Sequence, residues 1–432
     1  MTDRSITALA ARRVWDSRGH PTVEVEVTLA SGATGRAIAP AGASRGSREA
    51  VDLRDGGARL KGLGVDHALA NLRGPVADAL IGMEASDQSA IDAVLIARDG
   101  TPTFSLLGGN VTVAASLAVL QAAAASNRQP LWAHLVVSLG TTPSLPLPEI
   151  QIFGGGAHAG RRVDVQDFMV MVPGATSFAE ALEITAEIYH AAGAILAAKG
   201  RSGGVADEGG WWPDFRTNEE AMDTLMEAIT RAGETPGKRV VISLDIAASE
   251  LYRNGAYHLG LEKRSLTTEA MCGYLGGWLA QYPIASIEDP LAEGDTTGLV
   301  AFTAAHGDRV QIIGDDALVT NADLVRQMAT AGACNAVLIK VNQTGTVSGA
   351  LAAFRAARAL GWGTIVSARS GETEDVAISH LATGLGAGQL KVGSFARSER
   401  MAKWNECLRI EAVLGTSAFV GGAPLAGTWW QG

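Results

Sequence analysis

Cysteine is scarce: Cys272, Cys334 and Cys407 are the only three in 432 residues, far apart and without metal-type spacing. That excludes a disulfide framework and a cysteine-built metal site, and it suits free thiols in a reducing cytoplasm. Long apolar runs are missing as well, since no window of about 18 residues is continuously apolar. The nearest approach, Val111 to Ala125, is interrupted by Thr112, Ser116 and Gln121, so it predicts a buried helix. The opening residues Met1 to Ser5 lack the charged-then-apolar pattern of a signal peptide, and the expected location is cytoplasmic. Positive charge is in deficit, with 35 Lys and Arg against 45 Asp and Glu and a net charge of -10. Neither nucleic acid nor a membrane is therefore expected as partner, because phosphate backbones and acidic headgroups would be repelled by the whole molecule. A local basic pocket remains compatible with this balance. No low-complexity segment occurs.

The chain is long for one domain, and two are expected: residues 1–140 and 141–432. In the first, Thr22 to Leu29 alternates apolar and polar residues strictly, which predicts a strand with one buried and one wet face. Ser31-Gly32 supplies a turn, Thr34 to Pro40 can return antiparallel, and helical patterns follow from Asp66 to about Ala97 and from Val111. Those features describe a small α+β amino-terminal domain. Three prolines, Pro143, Pro146 and Pro148, then preclude a helix and suggest an extended entry into the second domain.

From Val240 to Ser394 short apolar runs repeatedly end in a charged residue: Asp245, Glu288, Asp315, Lys340, Arg369 and Lys391. Successive ends lie 22 to 43 residues apart, room for one helix and its loops. Strand-helix repetition implies a parallel sheet, and polar residues at the carboxyl ends of its strands are how an α/β barrel of the TIM type builds an active site. Asp245, Glu288 and Asp315 offer hard oxygen ligands of the kind Mg2+ takes. Two glycine-rich stretches lie outside these runs. Pro40 to Arg48, with Ser44, can bend tightly around an anion, and Phe153 to Gly160, with His158, can form a lid. Taken alone, each reads first as an ordinary surface turn or solvated loop, as does the Asp207-Glu208-Gly-Gly segment.

Taken together, these residues resemble the enolase family over nearly the whole chain. Asp16-Ser-Arg-Gly, Gly42-Ala-Ser44, Glu49-Ala and Leu53-Arg-Asp-Gly match its amino-terminal domain; Asp207-Glu208-Gly-Gly, Ser286-Ile-Glu288-Asp-Pro, Gly314-Asp315-Asp, Leu338-Ile-Lys340-Val-Asn-Gln and Arg369-Ser-Gly-Glu-Thr-Glu-Asp375 match its barrel. The resemblance implies an enolase-type barrel with a smaller capping domain, a homodimer, two Mg2+ per site and a small phosphorylated or phosphonylated carboxylic acid as substrate. It assigns Asp245, Glu288 and Asp315 to the first metal and Ser44 to the second. Lys340 would be the base, its pKa lowered by the cations and by Lys391, and Glu208 the acid that protonates the leaving group. Arg369 and Ser370 would grip the phosphate, His158 would close over it, and Gln166 would lie beside metal and substrate.

Two departures fall on the leaving-group side. Where enolases have Gln-Glu-Phe this chain has Gln166-Asp167-Phe168, and where they have Ser-His-Arg-Ser it has Ser367-Ala368-Arg369-Ser370. Both retract groups and imply extra room there. Arg45, Arg161 and Arg162 add positive charge on the mobile loops, which suggests a larger or more anionic substrate than 2-phosphoglycerate. The pattern resembles carboxyphosphonoenolpyruvate synthase, a branch of the family from phosphonate and phosphinate pathways. An ordinary phosphopyruvate hydratase and a catalytically silent enolase-like binding protein are the other two readings.

Overall fold

A computed structural model describes residues 2–201 and 203–430; Met1, part of the opening stretch read above, lies outside them. Near the amino terminus β1 (Ile6–Trp15), β2 (Pro21–Leu29) and β3 (Thr34–Ile38) form an antiparallel sheet in that order. Val23, Val25, Val27 and Leu29 point from β2 into the core, against the helix Gly109–Ser126. The opposite face of β2 is drier than its alternation predicts. Glu24 is only 5% exposed, because Arg12 and Arg36 on the flanking strands lie against it at 3.0 and 3.5 Å. A central strand can thus keep charged residues and still be covered, by cross-strand partners.

The helix Gly109–Ser126 is long and apolar enough to cross a membrane, but 83% of it is buried inside the protein. It is the core helix of the amino-terminal layer, as its interrupted apolar run suggests.

Eight further strands close into a barrel in chain order: β4 (Leu147–Gly154), β5 (Asp167–Met171), β6 (Val241–Asp245), β10 (Ile284–Glu288), β11 (Gln311–Gly314), β12 (Ala336–Ile339), β13 (Gly363–Ser367) and β14 (Gln389–Gly393). A small antiparallel sheet, β7 (Tyr252–Arg253), β8 (Ala256–Leu259) and β9 (Arg264–Leu266), sits between β6 and β10 in sequence. The expectation of a purely parallel sheet is corrected at one strand. β5 runs antiparallel to both β4 and β6, with Asp167 opposite Gly154 and Asp245. The loop after β4 enters β5 at the same rim of the barrel, so β5 contributes its first residue to the site where the other strands contribute their last.

The two layers are joined by buried polar groups. Asp92, fully buried on the helix Gln88–Asp99, accepts from Gln88 Nε2 at 3.0 Å, Ser116 Oγ at 2.6 Å and the backbone N–H of Ser348 at 2.8 Å. Ser348 lies in the first turn of the barrel helix Val347–Ala359, where an acceptor satisfies a free N–H. Asp92→Ala is expected to lower stability by about 3 kcal/mol, because it leaves buried donors without partners. A shift in the urea midpoint checks this, and Asp92→Asn, which keeps an acceptor, should cost less.

Candidate active site

The barrel rim gathers the predicted residues because each stands at or just beyond a strand end. Asp245 closes β6, Glu288 closes β10, Asp315 follows β11, Lys340 follows β12, Arg369 and Ser370 follow β13, and Lys391 lies in β14. All are buried. Ser44, His158, Gln166, Asp167, Glu208, Asp245 and Lys340 line one small cavity of about 20 Å3, together with Ala368, Arg369, Ser370 and Lys391. A larger cavity of about 640 Å3 lies far from this chemistry, along β3 and the helix carrying His380.

Lys391 binds the acids together. Its ammonium donates to Asp245 Oδ2 at 2.8 Å and Glu288 Oε2 at 2.7 Å, and lies 3.4 Å from Asp167 Oδ2. Burial disfavours that charge, but Asp245 and Glu288 outweigh it and hold the Lys391 pKa well above the usual lysine value. Burial and the neighbouring Asp245 push the Glu288 carboxyl far up. Lys340 donates to Asp315 Oδ2 at 2.5 Å. Without a divalent cation beside it, burial lowers its pKa, Asp315 more than offsets this, and the net shift is upward. In this arrangement Lys340 is paired with Asp315.

Beside this cluster His158 Nδ1 lies 3.5 Å from Asp167 Oδ1 and 3.7 Å from Glu208 Oε1. Burial opposes charging of the imidazole, but Glu208 and Asp167 raise its pKa overall. Ala368 faces the same cavity with only a methyl group.

Arg369 is held by a residue the sequence reading left without a role. Glu49 accepts from both ends of its guanidinium, at 2.9 and 3.2 Å, and Asn342 Oδ1 and the Ser44 carbonyl take further bonds, each at 3.1 Å. Glu49 stood in a quoted motif, yet nothing local indicates that it meets a residue 320 positions away. Ser370 Oγ accepts from the Ala43 amide at 2.7 Å and ties the Ser44 loop to the barrel. Asp289 is a second omission. It accepts the amides of Asp315 and Asp316, both at 2.8 Å, and so fixes the loop that carries Asp315. Although Asp289, Asp315 and Asp316 are close enough together to hold an ion, Asp289 is committed to those amides. Its signal was the second acid of Glu288-Asp289-Pro290.

The three added arginines do not converge on the cavity. Arg45 is exposed and its guanidinium lies 3.5 Å from the Ala50 carbonyl. Arg162 stacks over Trp212 at 4.3 Å. Arg161 pairs with Glu250 and lines a separate cavity of about 120 Å3 that shares Gln166 with the first.

Acidic groups here could hold a divalent cation, but among the described residues the ligand atoms drawn together are those of His158, Asp167 and Glu208 and those of Asp289, Asp315 and Asp316, not those of the expected trio Asp245, Glu288 and Asp315. Among the described residues the buried carboxyls around the rim, namely Glu49, Glu149, Asp167, Glu208, Asp245, Glu288, Asp289, Asp315 and Asp316, outnumber the buried cations Lys340, Lys391, Arg369 and Arg400. Two ammonium groups already sit on Asp245, Glu288 and Asp315, and Glu288 Oε1 is buried without a partner. Such an excess of acid calls for positive charge. Two family models match the chain: one described as enolase, N-terminal domain, over residues 6–135, and one described as enolase, C-terminal TIM barrel domain, over residues 142–427.

Proposed function

Because this chain belongs to the enolase family, we propose that it is a Mg2+-dependent lyase that removes the proton beside the carboxylate of a 2-phosphoglycerate-like substrate. Its leaving-group side is specialised for an enolpyruvate product with an altered phosphorus group, as in phosphonate or phosphinate biosynthesis. One contrast carries this reading. The acid trio and both lysines are complete and buried together, while the leaving-group side presents Asp167 and Ala368.

Asp245, Glu288 and Asp315 would hold the first Mg2+ and Ser44 would help hold the second. Bound there, the ions would supply the positive charge that stabilises a carboxylate carrying a second negative charge. Lys340 takes the proton from C2 once its ammonium has released Asp315 and passed its own proton to water. Lys391 keeps its charge beside the developing enolate. Glu208 protonates the leaving group from the other side, and His158, between Asp167 and Glu208, covers it and excludes water. Arg369, kept in orientation by Glu49, and Ser370 face the phosphorus group.

An ordinary phosphopyruvate hydratase is the second reading, favoured by the intact base and acids. A silent binding protein is disfavoured, since ammonium groups buried among acids are costly to retain without use. Phosphorus NMR with Mg2+ separates the first two. A substrate analogue bearing a carboxylate on phosphorus should be converted, and 2-phosphoglycerate about 100-fold more slowly. Turnover of 2-phosphoglycerate at about 10 per second or faster would overturn the specialised reading.

A further inference from the structure

Gln151 lies on β4 with both ends of its side-chain amide hydrogen-bonded. Its amide nitrogen donates to Asp167 Oδ1, and its amide oxygen accepts from the Gly210 backbone N–H at 2.9 Å. Gly210 follows Glu208 by two residues, so one buried amide touches the acid of β5 and the loop that carries the other acid. The approach requires glycine: a Cβ at position 210 would come within 2.3 Å of the Gln151 oxygen. The β4–β5 register shifts immediately after Gln151, between Gln151 and Phe153, and such bulges re-aim side chains beside active sites. Gln151 is 1% exposed and Asp167 0%, so neither can swing into solvent.

We propose that Gln151 is a positioning residue matched in length to Asp167, fixing the carboxylate of Asp167 and the Glu208 loop in a single register on the leaving-group side. A long amide meets a short acid on the neighbouring strand. A glutamate at position 167 would drive its carboxylate into the Gln151 amide, and an asparagine at 151 would fall short of either Asp167 or Gly210. Each change should do harm alone, and the two together should compensate. The role in turnover rests on the function proposed above; the match of lengths does not.

The test is a double-mutant cycle of Gln151→Asn, Asp167→Glu and the pair, with two readouts on the metal-free protein that involve no substrate. Each single variant should lower the melting temperature, and the pair should recover most of the loss. The second readout is the His158 imidazole titration by NMR. Asp167, Glu208 and the charge of Asp245 face this ring, so displacing Asp167 should move the midpoint in both single variants, and the pair should return it towards wild type. Additive losses in either readout would overturn the inference, as would an Asp167→Glu variant indistinguishable from wild type. Recovered stability with an unrecovered His158 midpoint would make Gln151 merely structural and would overturn it too. With a converted substrate in hand, elimination should fall about 100-fold in each single variant and recover in the pair, while C2 exchange stays near wild type. If no substrate is converted, the function proposed above fails and the metal-free cycle still decides this one.

Discussion

Replacing Lys340 with alanine should slow exchange of the substrate C2 proton with solvent deuterium by roughly a thousandfold, the scale of a positioned general base. Lys340 is the buried amine that follows β12, and the Lys391 ammonium is already bound to Asp245 and Glu288. The variant should remain folded, because Asp315 Oδ1 keeps its bond from Gln343 Nε2 at 2.8 Å. Loss of the ammonium leaves Asp315 less compensated, so a lower melting temperature in the absence of Mg2+ is part of the expected result. Glu208→Gln is the companion experiment. It should retain much of the exchange while blocking product, since the two residues act on different bonds. Proton NMR in deuterium oxide reads both, and a Lys340→Ala protein that exchanges as fast as wild type would show the roles to be misassigned.

Glu288→Gln should remove Mg2+ binding and with it the Mg2+-dependent part of stability. At a hundredfold excess over its Kd, an ion bound only by the folded protein adds about 2.7 kcal/mol. The wild type should therefore melt higher with Mg2+ and the variant should not. Without metal the difference should nearly vanish. The Glu288 carboxyl is pushed well up by burial and by Asp245, so its ionisation opposes folding. A folded pKa above the unfolded one means that this group's stabilising contribution is present at low pH and lost as pH rises through the folded value. A neutral amide at 288 carries no such loss but also takes a carboxylate from the buried Lys391 ammonium, so the two effects oppose and the metal-free variant should differ little from wild type near neutrality. Calorimetric titration with Mg2+ checks the binding, and an unchanged affinity in the variant would remove Glu288 from the ligand set.

The alternation of apolar runs and helical patterns was enough to foresee a barrel, and the charged residue at each run's end was enough to foresee its rim. Both are local properties: a strand's period and its terminus are written in a handful of consecutive residues. The buried core helix was legible for the same reason. The run Phe168 to Val172, by contrast, reads the same in either direction, and only the short return from β4 makes β5 antiparallel. That reversal brings Asp167 to the rim.

What the sequence alone determined is which residue types the site would contain and which strands would present them. What the tertiary structure decided is how those residues pair. Lys340 meets Asp315, Arg369 is gripped by Glu49 from the amino-terminal layer, and Gln151 reaches to Asp167 on the neighbouring strand. Arg45, Arg161 and Arg162, which suggested a larger or more anionic substrate when read along the chain, lie against the Ala50 carbonyl, Glu250 and Trp212 respectively and do not line the cavity. Charge attracts without regard to sequence separation, and a long side chain reaches several ångströms in any direction, so its partner is set by which loops fold against each other.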